Sequence, residues 1–299
     1  MLQPQRVPSS SPQPQSGEAE TAMSGGNTWP VMSQDNFRQL SEYIQLHYGI
    51  KIPPVKKTML EGRLRKRLRI LGIDTFDAYC RYLFSRKGIN SEFIQMIDVV
   101  TTNKTDFFRE CGHFDYLVGK ALPELSRTGR KIEVWSAGCS TGEEPYTLAM
   151  VLTEFAETCK IDFSIVATDI STRVLKQAKS AVYTHDRVEP VPMPLRKKYL
   201  LRGKDRRKGL VRIMPQLRAK VQFRRLNLMD RRFSLSEQMA VIFCRNVMIY
   251  FDRATQEELL NRFCDHLIPG GYIFTGHSET LHGMELPLVS VAPTIYKKI

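Results

Sequence analysis

Apolar positions recur at helical spacing through the first third of the chain, and in short strand-like runs beyond about Gly129. Phe37, Leu40 and Ile44 lie three and four residues apart behind Ser33, whose hydroxyl suits a helix N-cap. A second helix is predicted after Pro53-Pro54, with Leu60, Leu64, Leu68 and Leu71 as its buried stripe and Gly72 as its stop. Asp74 or Thr75 starts a third through Phe76, Tyr79 and Leu83. Ser91 starts a fourth that buries Phe93, Ile94 and Ile97. The stretch from Ser33 therefore predicts a small all-helical domain, taken as 33–110 with the polar segment that follows it, and then a linker helix over 111–129.

Beyond it, strands alternate with helices, the pattern of a mostly parallel sheet covered by helices. Ile132–Ala137, Phe163–Thr168, Val241–Cys244 and Gly271–Thr275 read as strands of this domain, 130–299. Gly209–Met214 and Lys220–Leu226 read as short antiparallel strands of a small β insertion at about 196–226. No internal repeat is present.

Composition narrows the class. Residues 1–32 are rich in Pro, Ser, Gln and Gly, so they cannot bury enough surface to offset their ordering entropy. A disordered tail is expected there, with Met23 and Met32 as alternative starts. The 299 residues and 42% hydrophobic content suit about two domains with real cores. No run approaches the roughly 18 apolar residues of a bilayer span, and a secretory pattern is missing. A cytoplasmic protein without membrane insertion is expected, and a monomer is the default. None of the six cysteines forms a CxxC pair, so reduced thiols are expected. The six histidines are scattered, and no metal site is expected.

The net charge of +13 is local. Arg196 to Arg232 holds fifteen basic residues against Asp205 and Asp230, which equals the whole formal excess. Such a segment is a solvated basic face or the footprint of an acidic protein, nucleic acid or membrane partner.

Candidate chemistry centres on Trp135-Ser136-Ala137-Gly138-Cys139-Ser140-Thr141-Gly142-Glu143-Glu144-Pro145-Tyr146. A strand runs into a glycine turn and then a helix, with Pro145 in its first turn. Two acids at that helix start would repel a pyrophosphate but suit a ligand carrying an ammonium and a sulfonium. One of them is expected merely to complement the helix dipole. Asp169, ending the second strand, suits the two hydroxyls of a ribose, or else caps the helix after Ser171. Glycine turn plus acid signals a nucleoside cofactor, and leaves S-adenosylmethionine and a dinucleotide both open.

Three further segments join that motif: Thr101-Thr102-Asn103-Lys104-Thr105-Asp106-Phe107-Phe108-Arg109-Glu110, Ile242-Phe243-Cys244-Arg245-Asn246-Val247-Met248-Ile249-Tyr250-Phe251, and Gly276-His277-Ser278-Glu279. In order and spacing the set resembles the CheR-type chemotaxis receptor (protein-glutamate) O-methyltransferases, from Ser33 to the C-terminus. The resemblance implies an α/β fold: a Rossmann-like S-adenosylmethionine-dependent methyltransferase domain with a small antiparallel β-subdomain, preceded by a helical domain. It implies cofactor contacts at Asn103, Thr105, Arg109 and Gly138, with Glu144 on the methionine part and Asp169 on the ribose. Asn227 and Leu228 would flank the adenine, and Asn246 and Val247 would line the floor where donor and acceptor meet. The implied partners are the cytoplasmic methylation helices of chemoreceptors and, in some members, a receptor C-terminal peptide at the β-subdomain. Two departures stand out: Ala240 where the family usually has an acid, and the very basic hairpin tip Arg202–Gly209.

A glutamate acceptor is already ionised near neutral pH, with a reference pKa of about 4.3, so no strong base is needed. Arg109 is expected to position the carboxylate or the cofactor, and Tyr250 is a weaker catalytic candidate. Phe107 and Phe108 are expected to pack. Arg63, Lys66 and Arg67, among the cations around the Leu stripe of the second helix, are expected to meet the acidic receptor helix. A nucleic-acid methyltransferase would carry an Asp/Asn-Pro-Pro-aromatic run or a Pro-Cys nucleophile, where this chain has Arg245-Asn246-Val247-Met248. A non-catalytic S-adenosylmethionine-sensing scaffold would be expected to have lost a motif residue, and the set is intact.

Overall fold

The computed structural model describes residues 30–203, 205, 209–235 and 238–299. Four helices form the first domain: α1 (Gln34–Tyr48), α2 (Lys57–Leu71), α3 (Phe76–Leu83) and α4 (Arg86–Val100). The caps follow the sequence. Ser33 Oγ accepts from the Asn36 amide, Thr75 Oγ1 from the Ala78 amide, and Gly72 closes α2 at φ 65°. Leu40, Ile44, Leu60, Leu64, Tyr79, Leu83 and Met96 are fully buried where these helices meet.

Two expectations shift here. Helix α4 begins at Arg86, capped by Ser85, not at Ser91, whose hydroxyl instead donates back to the Lys87 carbonyl. The reason is a tight approach of α3, since a Cβ on Gly88 would collide with the carbonyls of Tyr82 and Leu83. Of the expected tail, residues 1–29 lie outside the described residues. Met32 belongs to the helical core: its side chain is 1% exposed and its amide donates to Glu61.

Helices α5 (Gly112–Tyr116) and α6 (Leu122–Ser126), joined by a π turn over Leu117–Ala121, lead into the second domain. There follow β1 (Ile132–Ala137), α7 (Glu143–Cys159), β2 (Phe163–Asp169), α8 (Thr172–Ser180), β3 (Val182–Thr184), α9 (Met193–Tyr199), β4 (Leu200–Arg202) and β5 (Leu210–Ile213). The chain ends with α10 (Pro215–Ala219), β6 (Val221–Arg225), β7 (Met239–Cys244), α11 (Arg253–His266), β8 (Leu267–Thr275), β9 (Leu288–Ala292) and β10 (Ile295–Lys298). The main sheet runs β6-β2-β1-β7-β8-β10-β9, parallel from β6 to β8 and antiparallel at β10 and β9. Alternate residues of its central strands serve opposite faces. Val134, Ile165, Val241 and Phe243 pack towards α5–α7, while Trp135, Val166 and Ile242 pack against Leu259 and Phe263 of α11. This is a Rossmann-like α/β sheet behind a helical domain, the architecture the resemblance implies.

The small sheet, β3-β5-β4, is antiparallel. It corrects the insertion expected at about 196–226 in two ways. It begins earlier, at Val182, and Val221–Arg225 is not part of it. That strand pairs parallel with β2 at the edge of the main sheet. Half-buried alternation looks the same in either setting, so only the partner strand tells them apart. Of the basic hairpin tip, residues 204 and 206–208 lie outside the described residues. No helix among the described residues is long and apolar enough to cross a membrane.

Candidate active site

A cavity opens over the carboxyl ends of β1, β2 and β7, where the strand order reverses between β1 and β7. Open parallel sheets bind ligands at such switch points. The helical domain roofs it with Tyr48, Ile52, Met59 and Arg63, and the segment Thr101–Thr105 crosses between the domains along its wall. Helix α4 docks on α8 through Asp98, which accepts from Thr172 Oγ1 at 2.6 Å and from the Arg173 amide at 3.4 Å.

The glycine turn is built for close approach. The Gly138 and Cys139 amides donate to the Thr168 carbonyl at 2.8 and 2.9 Å, which locks the turn onto β2. Gly138 takes φ 83°, and a Cβ there would run into Val247 Cγ2, so the two cavity walls meet only because position 138 has no side chain. Ser140 takes φ 49°, its amide donates to Asp169 Oδ2 at 2.8 Å, and its hydroxyl donates to the Asn103 carbonyl at 2.9 Å. Asp169 Oδ1 accepts from the Ser171 amide at 2.9 Å. Burial pushes the Asp169 carboxyl above the usual carboxylate range, and the Ser171 and Ser140 N–H groups hold it back. Asp169 thus braces the entry to α8, whose N-cap is Ser171 itself, and lines the cavity.

The paired acids separate. Glu143 is fully buried outside the cavity, taking Thr141 Oγ1 at 2.6 Å and the Arg187 guanidinium at 2.5 Å. Arg187 also donates to the Thr105 carbonyl at 2.6 Å and to Asp106 at 3.2 Å, so it ties the interdomain segment to the start of α7. Glu144 faces the cavity, with Ser136 Oγ on Oε1 and Arg245 Nε on Oε2, both at 2.7 Å.

Arg245 is the hub behind this wall. Its guanidinium lies over the rings of Phe114 and Phe243 and donates to the Arg109 carbonyl at 2.6 Å and to His113 Nδ1 at 3.2 Å. Burial and then the Arg245 charge push the His113 imidazole down to about 4, so it is neutral. The histidines are less scattered than their spacing predicts. Ligating atoms of Glu110, His113 and His277 lie within 4.8 Å of one another. Arg245 stands 3.5 Å from the same Glu110 oxygen and occupies the Nδ1 lone pair of His113, so a guanidinium already fills the cation's place there.

The other expected residues converge. Asn103, Thr105, Arg109, Asn227, Leu228, Asn246, Val247 and Tyr250 all line the cavity. Arg109 is half-exposed, with one guanidinium nitrogen 3.1 Å from the Lys104 carbonyl. Asn227 Nδ2 donates to the His47 carbonyl of α1 at 2.8 Å, so the loop after β6 is pinned to the helical domain. Asn246 takes φ 59° and its amide donates to Glu279. Phe107 is buried and Phe108 packs beside it, as expected.

The receptor-facing trio does not hold together. Lys66 is exposed. Arg67 instead makes a two-pronged pair with buried Glu92, Nε to Oε1 at 2.8 Å and a terminal nitrogen to Oε2 at 2.7 Å, and Tyr79 Oη adds 3.0 Å to the same carboxylate. Its position one residue before Leu68 and three after Leu64 places it on the flank of the buried stripe. Arg63 turns to the cavity mouth, bonded to the Val100 carbonyl and, at 2.9 Å, to Thr102 Oγ1. Sequence reasoning missed Glu110, Arg245 and Glu279 as site-building residues although all three stand in the quoted segments. Arg187 carried no local signal at all.

The donor set fits S-adenosylmethionine. The cavity offers one carboxylate, Glu144, towards the glycine turn, a second, Asp169, at the end of β2, and apolar walls of Ile170, Leu226 and Leu228 beside Asn227. Those are partners for an ammonium, a ribose diol and an adenine. Two family models match the chain: CheR methyltransferase, all-alpha domain, over residues 35–101, and CheR methyltransferase, SAM binding domain, over residues 103–296. A chemotaxis protein methyltransferase of Borreliella burgdorferi is 40% identical, across 89% of this chain and 95% of its own. Chemotaxis protein methyltransferase 2 of Pseudomonas aeruginosa is 38% identical, across 97% and 99%. The chemotaxis protein methyltransferase of Escherichia coli is 38% identical, across 89% and 91%.

Proposed function

The chain belongs to the CheR methyltransferase family, and we propose that it methylates glutamate side chains of chemoreceptors to glutamyl 5-O-methyl esters, as a step of sensory adaptation. Bound S-adenosylmethionine supplies a methyl carbon made electrophilic by the sulfonium. The observation that carries the glutamate reading is the make-up of the cavity. Cations stand at its mouth, Lys51, Lys56, Arg63, Lys104 and Arg109, and among the described residues no His or Cys lines it. A carboxylate needs no deprotonation, whereas an amine or hydroxyl acceptor would call for a base.

The residues therefore bind, align and exclude water. Glu144 would take the cofactor's ammonium, Asp169 the ribose hydroxyls, and Asn227 with Leu228 the adenine. Asn103 and Thr105, on the interdomain segment, and Gly138, in the turn after β1, would contact the cofactor. Asn246 and Val247 would form the floor beside the acceptor carboxylate. Arg109 steers the carboxylate into line. It acts as a positioning charge, since a tight two-pronged pair would draw electron density off the nucleophile. Alignment of this kind supplies roughly 7–11 kcal/mol when the reacting atoms are well placed. Tyr250, on the turn after the floor, borders the acceptor's path.

Exposed Lys66 is the receptor-facing member of α2, and Arg63 meets the acceptor at the mouth. The receptor's methylation helices reach the protein in the cytoplasm, with a receptor C-terminal peptide as a second contact on the small sheet, and the enzyme works as a monomer. The test is transfer of labelled methyl to membranes carrying the organism's own chemoreceptors, followed by mild alkali. Alkali-labile label on the receptor is expected. Alkali-stable label, or label on RNA, rejects carboxyl methylation.

A further inference from the structure

None of the four residues of Gly276-His277-Ser278-Glu279 lines the cavity, yet the last of them reaches its floor from behind. The motif turns directly after β8, whose final residue, Thr275, is in parallel register with Cys244 at the end of β7. The turn is itself held: the Glu279 amide donates to the Gly276 carbonyl at 2.8 Å, and Thr275 Oγ1 donates to the Glu279 carbonyl at 2.8 Å. From this fixed base the Glu279 carboxylate, 5% exposed as a residue, projects across to the segment after β7. Oε2 accepts from the Asn246 amide at 2.8 Å and from Gly276 at 2.6 Å, and Oε1 accepts from the Ile249 amide at 3.1 Å.

We infer that Glu279 is a positioning residue for methyl transfer, a buried carboxylate that sets the shape of the acceptor floor without touching either reactant. This rests on the reading of the cavity as a methyl-transfer site. Asn246 sits at φ 59°, a left-handed conformation that an L side chain holds only where its surroundings over-determine it. Glu279 supplies that constraint on its amide, and Asn246 Nδ2 reaches Glu110 Oε1 at 3.3 Å on the other side. Gly276 makes the approach possible. A Cβ there would stand 2.5 Å from Asn246 Nδ2 and 2.8 Å from both the Asn246 amide nitrogen and Glu279 Oε2. Because the Tyr250 amide donates to the Val247 carbonyl at 3.3 Å, the position of Tyr250 follows that of the floor. One carboxylate, mounted on the sheet, thus fixes Asn246, Val247 and Tyr250 together. Functional groups held this way by a rigid element keep the tolerance that reaction geometry demands.

The deciding variant is the isosteric Glu279→Gln, in the full chain. A carboxamide keeps one acceptor oxygen and turns two N–H donors towards an amide that needs an acceptor. Amide exchange in the peptide spanning 245–251 should speed up by about tenfold while the rest of the sheet stays protected. S-adenosylhomocysteine affinity and acceptor KM should stay within about threefold of wild type and kcat should fall about thirtyfold or more, the pattern of an interaction felt in the transition state. Glu279→Asp, which keeps the charge but withdraws it by one methylene, should fall between the two, and serves in place of the Gln variant if that does not fold. Unchanged exchange at 245–251, or cofactor affinity lost in proportion to kcat, would overturn the assignment. Exchange is measured without any acceptor. If wild type fails to methylate a receptor, the proposed function falls, while the exchange result still decides for or against Glu279.

Discussion

Arg67→Ala separates two accounts of the basic second helix. If Arg67 met the receptor, its loss would slow methylation and leave stability alone. The structure instead pairs it with Glu92 through two hydrogen bonds of 2.7–2.8 Å, with 11% and 3% of the two side chains exposed. Removing one partner of such a pair leaves a buried carboxylate without its counter-charge, which typically costs roughly 3–5 kcal/mol. Arg67 keeps some contact with water, so the lower end, about 3 kcal/mol, is the expected loss. Glu92 would retain the Tyr79 hydroxyl at 3.0 Å. Urea titration followed by circular dichroism reads this as a lower midpoint at unchanged slope. Adding Glu92→Gln should recover about 1–2 kcal/mol, because the stranded charge is then gone. Lys66→Glu, one position along and exposed, should stay within about 0.5 kcal/mol of wild type yet slow receptor methylation, most at low salt. An Arg67→Ala protein as stable as wild type but poor at methylating receptor would refute the reasoning.

Three further outcomes follow from the site. Asp169→Asn should weaken S-adenosylhomocysteine binding by about ten- to a hundredfold, roughly 1.4–2.8 kcal/mol, by calorimetry; an unchanged Kd would remove Asp169 from the cofactor site. Arg109→Ala should lower kcat/KM by about a hundredfold or more while costing under about 1 kcal/mol in unfolding, because its side chain is half-exposed; equal losses would make it structural. His113 is held neutral, down at about 4, in a pocket it shares with Arg245, Glu110 and His277. The unfolded chain therefore binds the extra proton below its ordinary pKa, and stability falls as pH drops from about 6.5 towards 4. Allowing for solvent screening, about 2 kcal/mol should be lost over that window. Urea midpoints at pH 7 and pH 5 check this, and His113→Asn should flatten the dependence; a midpoint that rises on acidification would contradict it.

Much was legible in the chain because it is encoded locally. Ser33 and Thr75 cap helices with their own hydroxyls, and Gly72 stops one by adopting φ 65°. The strands at 132, 163, 241 and 271 announce themselves as short apolar runs, which water expels whatever their partner. The cofactor motif was legible too, since a glycine turn between strand and helix with an acid on the next strand is itself a short-range device.

What the chain alone left open was each choice between equivalent neighbours. Lys66 and Arg67 are adjacent cations, and only the packing of α2 on α4 sends one to water and the other to Glu92. Glu143 and Glu144 are adjacent acids, and the fold gives one to Arg187 and the other to Arg245 and the cavity. The strand at Val221 would pair as well in a small antiparallel sheet as at a parallel edge; its register against β2 decided it. The floor depends on Glu110, Arg245, Asn246 and Glu279, brought together from three segments far apart in sequence. Periodicity and capping are fixed by residues a few positions apart, so a sequence displays them. A charge finds its partner across the fold, and that pairing exists only once the sheet has aligned the ends of β7 and β8 and α5 has closed over them.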